Sequence, residues 1–395
     1  MSFIPVVEAE GLVAEAQRLV PLLQVHAEEA ARQGRLTVES EAALRDASMF
    51  RLQAPRSWGG GEAGLRTSLD TYRTLAHGCS SSSWNAMILS GGSYLTSLLG
   101  ERARDDVWGT DPREAICVSL TPSGASRRVD GGVLSSARCQ PLSGVDQSSW
   151  VMVHVPEIGD DGTVSPMLVL VPISEVSVER TWNVAGMQGT GSNTVVLDEV
   201  FVPEHRILYF GKVLSGGYAD DHPDEPLTNG TVLSFLIVTV IGPVLGMAEA
   251  ALEHTMGILG KGKAIGASLY RDAVDSPSVQ FNVAEAASLI DTARLHSYRA
   301  ADDVDGGIRA GAQLNAATRA RIRMDVGVAS KRAREAVDLL LNVGGARGFA
   351  LSNPIQRIWR DLETATRHPM LSTDLGRELY ARSMLSIDEP ITPWV

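Results

Sequence analysis

The periodicity of the apolar residues switches twice along this chain, and that double switch limits the possible folds more than any single motif. Near the N-terminus Leu12, Ala16, Leu19, Leu23, Ala27 and Ala30 recur every three to four residues with charges between them, the spacing of an amphipathic helix. Residues 37–46 predict a second helix, with Thr37 as the candidate cap and Ser40 as the alternative. A loop with Pro55 and Gly59-Gly60-Gly61 follows, then helical stretches near 65–77 and 81–99. From 115 to 210 the pattern changes. Short β-rich runs (116–118, 150–155, 167–171, 195–197 and 200–202) alternate with turn signals, and Asp130-Gly131-Gly132 reads as a hairpin turn. No helix-length segment separates these runs, so an antiparallel β unit is expected rather than βαβ repeats. Residues 211–230 are rich in Gly, Asp and Pro and read as a linker or lid. Long alanine-rich helices at 279–304 and 314–343 then predict a bundle. The expected class is α+β: an N-terminal helical domain (1–114), a central antiparallel β domain (115–210), the linker (211–230) and a C-terminal helical bundle (231–395).

Charge and composition remove several function classes. The 35 basic residues against 47 acidic ones leave a net charge of −12, which argues against a nucleic-acid binder. The three cysteines, Cys79, Cys117 and Cys139, form no CxxC and no disulfide framework. With no basic-then-apolar start, this implies a reducing, cytoplasmic setting. The apolar stretch from Val232 to Ala251 carries Ser234, Thr239, Gly242 and Pro243, and is expected to be a buried helix rather than a membrane span. HExxH, P-loop and GxSxG signatures are absent, and no metal is expected.

Gly186-Met187-Gln188-Gly189-Thr190-Gly191 superficially suggests a nucleotide loop. It lies between β runs and opens no helix, so turns in a β unit explain it better. The stretch 186–194, followed by Asp198 to Pro203 and His205-Arg206, resembles the β-domain motif of the acyl-CoA dehydrogenase superfamily. More narrowly, it is similar to that superfamily's flavin-dependent monooxygenase branch, the oxygenase components of two-component phenol and steroid-catechol hydroxylases. Trp58-Gly59-Gly60, Cys79 to Trp84, Trp108 to Pro112, Ser143 to Asp146 with Trp150, and Pro354 to Asp361 extend the resemblance over nearly the whole chain.

The resemblance implies specific roles. Trp84, Ser119 and Ser143 would border the flavin, with Ser143 helping to retain a C4a-hydroperoxide. Thr190, Ser192 and Asn193 would bind the ribityl or phosphate side. Gly345 and Arg347, in the Gly344-to-Phe349 turn, would cradle the flavin tail across a subunit boundary, and Lys263, Lys261 or Arg271 would meet its phosphate. His368 falls where dehydrogenases carry a catalytic glutamate and where the similar monooxygenases carry a histidine. It would deprotonate or orient the substrate, a task suited to an imidazole. Two departures stand out: Gly92 occupies the place of a second family histidine, and Glu363 that of another. Gly92 and nearby Tyr94 are therefore expected in the substrate pocket, with Gly92 leaving room for a wider substrate.

The implied activity is hydroxylation of an aromatic or polycyclic molecule with O2. Reduced FMN or FAD would arrive by diffusion from a separate reductase, and the assembly would be a homotetramer. An N-oxygenase of an amine or amino sugar, an acyl-CoA dehydrogenase-like oxidoreductase, and a non-catalytic binding protein on the same scaffold remain the alternatives.

Overall fold

The computed structural model describes residues 9–262 and 264–392. Among the described residues, five α-helices open the chain: α1 (Ala9–Gln33), α2 (Val38–Asp46), α3 (Leu65–Gly78), α4 (Ser80–Ser97) and α5 (Glu101–Trp108). Helix α1 continues through Pro21. Thr37, not Ser40, caps α2: its hydroxyl accepts the Ser40 N–H at 3.2 Å. Helix α5 has no counterpart in the periodicity pattern, because eight residues are too few to display one.

Ten strands follow: β1 (Ile116–Ser119), β2 (Ala125–Val129), β3 (Gly132–Leu142), β4 (Trp150–His154), β5 (Glu157–Ile158), β6 (Val164–Ser165), β7 (Met167–Pro172), β8 (Ser177–Glu179), β9 (Asn193–Pro203) and β10 (Ile207–Tyr209). They form one sheet of order β1-β4-β7-β10 and another of order β6-β5-β2-β3-β9-β8. Strand β4 is buried on both faces, so it reads as a continuous apolar run. Strand β3 alternates between buried and more exposed residues over most of its length. Asp130 and Gly131 link β2 to β3, with Gly131 at φ 76°, as a tight hairpin demands.

The two runs at 195–197 and 200–202 turn out to be one strand, β9. A register shift opposite Ser135 and Ala137 of β3 leaves Ser136 Oγ to accept the Glu199 N–H at 3.0 Å. This bulge breaks the apolar alternation at Asp198-Glu199. Pairing is mainly antiparallel, but β1 runs parallel to β4 and β2 to β5. The chain leaves β1 for the β2–β3 hairpin in the other sheet before returning as β4, so no crossover helix is needed.

The C-terminal part comprises α6 (Phe210–Ser215), α7 (Val232–Thr239), α8 (Ile241–Leu259), α9 (Pro277–Ala310), α10 (Ala316–Gly344), α11 (Pro354–Ala365) and α12 (Thr373–Met384). The stretch Val232–Leu259 is long and apolar enough to cross a bilayer, yet its most apolar window is 89% buried in the protein. Helix α8 packs against α3, α10 and α11, which accounts for apolar residues all round it. The segment 211–230 is tied down by Glu225, paired with the buried Arg104 at 2.7 Å. One apolar cluster runs from Leu12 through Val151 and Val169 to Ile237, Leu340 and Leu362. The β unit and the bundle therefore share a core, and the principal cavity lies where they meet.

Candidate active site

The cavity has a volume of about 740 Å³, within the range of small-molecule sites. Helix α4 contributes Trp84 and Gly91, β1 contributes Ser119, and the turn after β3 contributes Ser143. The loop before β9 adds Met187, Thr190 and Ser192, and α7 adds Leu236 and Ile237. Arg323 of α10, His368 after α11, and Ile391 and Thr392 near the C-terminus complete the wall with further apolar residues. No Asp or Glu lines it among the described residues.

A row of polar side chains crosses this mostly apolar surface. Trp84 Nε1 donates to Ser143 Oγ at 3.2 Å. Ser143 Oγ bonds Ser192 Oγ at 2.7 Å, and Ser192 Oγ bonds Thr190 Oγ1 at 2.6 Å. Thr190 Oγ1 also donates to Met187 O at 2.8 Å. Ser119 faces the same cavity from β1. Hydrogen-bonding groups beside aromatic and aliphatic walls fit a flavin, which has a flat ring system with polar edges. Trp84, Ser119, Ser143, Thr190 and Ser192, each expected at the flavin, come together on this one wall.

The loop that carries Thr190 and Ser192 is no nucleotide loop. Met187 and Gly191 both adopt φ 56° around a single 3-10 turn. Gly186 lies so close to α11 that a Cβ there would stand 1.9 Å from Arg360 O. Asp361, buried in α11, accepts the Met187 N–H at 2.5 Å, and Arg360 Nη1 donates to Ala185 O at 2.8 Å. Burial pushes the Asp361 carboxyl up from its ordinary value. Asp361 thus joins the loop holding the hydroxyl row to the helix leading into His368, a positioning role that its place in the Trp359-Arg360-Asp361 run did not disclose.

His368 lies 5.7 Å from the Trp84 ring, centroid to centroid, in an edge-on arrangement. Its Nδ1 accepts the Met370 N–H at 3.3 Å. In the neutral ring the proton therefore sits on Nε2, which takes no partner among the described residues. Burial and the nearby Arg323 charge push the imidazole down to about 4. Between this value and the unfolded one near 6.5, the unfolded chain binds more protons. The stabilising contribution is complete above pH about 6.5 and is lost as pH falls toward 4. His368→Gln should consequently lose less thermal stability than the parent on acidification from neutrality to about pH 5. Paired melting curves at the two pH values measure this, and equal losses would refute it.

Three expected residues, Gly92, Tyr94 and Asn193, stand off the cavity wall. Gly92 does not line the cavity: a Cβ there would stand 2.0 Å from Ile116 O, so its smallness serves helix-to-strand contact. Tyr94 is fully buried, donates to Leu227 O at 3.0 Å and packs at a tilt against Phe235, away from the cavity wall. Asn193 is not on the wall either. Its Oδ1 accepts the N–H groups of Thr181 and Trp182 at 3.1 and 3.3 Å and so places the lining residue Trp182. Gly345 and Arg347, expected at the flavin tail across a subunit boundary, lie in an exposed 3-10 turn and do not line this cavity, and Lys263 lies outside the described residues. Glu363 pairs with Arg367 at 2.6 Å and is not on the wall. Gly91 and Arg323 are lining residues that the sequence did not single out.

Helical ends around a two-sheet β unit, with a polar row and a histidine at their junction, define a flavin-site enzyme on the acyl-CoA dehydrogenase scaffold. Residues 238–373 match the family described as acyl-CoA dehydrogenase, C-terminal domain. The flavin-dependent monooxygenase oxygenase subunit HsaA of Rhodococcus jostii is 33% identical, over 95% of this chain and 97% of its own length. The oxygenase component of the FADH2-dependent resorcinol hydroxylase of a Rhizobium species is 31% identical over 95% and 94%. The structure of XiaF from a Streptomyces species, in complex with FADH2 and glycerol, superposes with a TM-score of 0.93 at 32% identity, covering 98% of this chain and 97% of that one. The chain belongs to the family of oxygenase components of two-component flavin-dependent monooxygenases. It is an enzyme that uses reduced flavin, acts on a small molecule and depends on a separate reductase. The dehydrogenase-like and non-catalytic alternatives are set aside.

Proposed function

We propose that this oxygenase hydroxylates an aromatic or polycyclic substrate carrying a hydroxyl group, and that His368 orients that group in the cavity. The observation that carries this reading is the cavity itself: about 740 Å³, walled by Trp84, Trp182 and aliphatic side chains, with His368 as its only imidazole among the described residues. Reduced FMN or FAD, arriving by diffusion, supplies the electrons that activate O2. Trp84 and Ser119 border its ring system, Ser143, Ser192 and Thr190 offer it hydrogen bonds, and the apolar wall excludes water from the reacting region. Oxygenation of an amine is the weaker reading, since among the described residues no Asp or Glu lines the wall to hold an ammonium group.

The proposal includes a homotetramer. Phe281, Leu295 and Leu351 are 72%, 73% and 82% exposed, and such apolar side chains suit subunit contacts. Gly345 and Arg347 would meet the flavin tail across that boundary, with Lys263 at its phosphate. A cytoplasmic location agrees with three buried, free cysteines.

Anaerobic titration with reduced FMN and reduced FAD, followed by isotopically labelled O2 and a panel of phenols, tests the reading. One labelled oxygen should appear in the product. Unlabelled product, or no affinity for either reduced flavin, overturns it.

A further inference from the structure

We propose that Arg323 makes the cavity select the ionised form of a hydroxylated aromatic, holding its anionic oxygen together with the Nε2–H of His368. This rests on the aromatic-hydroxylase reading above and adds the charge state of the substrate and the group that recognises it.

Arg323 is only 3% exposed, yet it lines the cavity. Nη1 donates to Met370 O at 2.9 Å and Nη2 to Pro369 O at 3.3 Å, while Nε is buried without a partner. Its neighbour Arg321 behaves differently. Arg321 pairs with Asp303 and Asp325, at 2.5 and 3.4 Å, but Arg323 has no carboxylate partner among the described residues. Burial alone pushes its guanidinium down to about 10, so it stays charged at neutral pH. A buried cation without a counter-ion is costly, and an anionic ligand in the cavity removes that cost.

The other charged groups on the wall reinforce the sign. Arg367 is paired with Glu363, no acid among the described residues faces the cavity, and His368 is neutral. Because Met370 N–H occupies Nδ1, His368 offers the cavity a donor rather than a basic nitrogen. Two donors, one of them cationic, and no base form a receptor for an oxyanion. The hydroxyl proton of the substrate then leaves to solvent as the anion enters, and the ring arrives electron-rich.

The wall without Arg323 would do the opposite, since apolar surroundings raise the pKa of a bound phenol. The probe is 4-nitrophenol, whose ionised form is seen by its visible absorption, titrated with the flavin-free protein. Bound to the parent enzyme it should ionise about one to three units lower than free in solution. Arg323→Met should abolish or reverse that shift, Arg323→Lys should keep part of it, and His368→Gln should keep most of it. If the parent enzyme shows no downward shift, or Arg323→Met retains it, the proposal is overturned. Should Arg323→Met fail to fold, the parent and Arg323→Lys titrations decide. The same guanidinium would also suit anionic reduced flavin. A variant that keeps the probe shift but loses reduced-flavin affinity assigns Arg323 to the flavin and overturns the proposal. Oxygen incorporation, measured separately, reports on the hydroxylase reading itself.

Discussion

Gly92→Ala should cost about 3 kcal/mol of stability or more, while Gly91→Ala should fold normally and alter substrate binding. The two glycines are adjacent on α4 but face different surroundings. At Gly92 a Cβ would sit 2.0 Å from Ile116 O and 2.9 Å from its carbonyl carbon. That neighbour is strand backbone, paired in register with Trp150 of β4, so it cannot swing aside as a flexible side chain would. Relief requires α4 to separate from β1, and that separation also disturbs Trp84, Ser119 and the hydroxyl row. At Gly91 the nearest atom to a Cβ is Leu236 Cδ2 at 3.5 Å, an ordinary contact on the cavity wall. Alanine is also the better helix former, by about 1 kcal/mol. Thermal or denaturant unfolding of the two variants, with dissociation constants for a panel of phenols of increasing width, checks the pair. Equal stability of Gly92→Ala and the parent would refute the close-approach account. An unchanged width preference in Gly91→Ala would remove Gly91 from the substrate wall.

This pair shows why part of the site was legible and part was not. Alignment by motif identifies a neighbourhood, but one residue of slip on a helix turns a side chain by about 100°. The glycine facing the cavity was therefore missed by one position. The double switch in period was robust, because it sums over many residues and each β run carries its own turn signals. Helix α4 gave little phase information, since nearly all its residues are buried. Trp84, Ser143 and Ser192 came through the family resemblance, and the structure adds that they hydrogen-bond in one row. Arg323 remained invisible for a different reason. In Arg319-Ala320-Arg321-Ile322-Arg323 every arginine resembles part of a solvated face. Only tertiary packing distinguishes Arg321, with its carboxylates, from Arg323, turned into the cavity. Gly345 and Arg347 were legible as a turn, but a single chain does not supply the neighbour that the resemblance implies for them.

His368→Ala should lower substrate oxidation about 100-fold or more, with reduced-flavin affinity and O2 consumption largely kept. The hydroxyl row that would hold the flavin is built from α4, the turn after β3 and the 187–192 loop, and His368 makes no hydrogen bond to it. Flavin binding should therefore survive, and electrons should pass to O2 and emerge as hydrogen peroxide instead of oxidised product. The replacement also separates two ways the imidazole could act. A base must receive a proton, and glutamine cannot, so His368→Gln would then be as inactive as His368→Ala. A donor needs only an N–H at the substrate oxygen, which the glutamine amide supplies. The neutral ring, its Nδ1 occupied by Met370 N–H and its pKa pushed down to about 4 beside Arg323, favours the donor. His368→Gln should accordingly recover a measurable part of the coupled activity, and its rate should not gain a titration near the imidazole value. Product formed per O2 consumed, across pH, for the parent and both variants is the measurement. Equal loss in His368→Gln and His368→Ala would return His368 to the role of base. An oxyanion held by Arg323 would then need its proton removed inside the cavity rather than at its mouth.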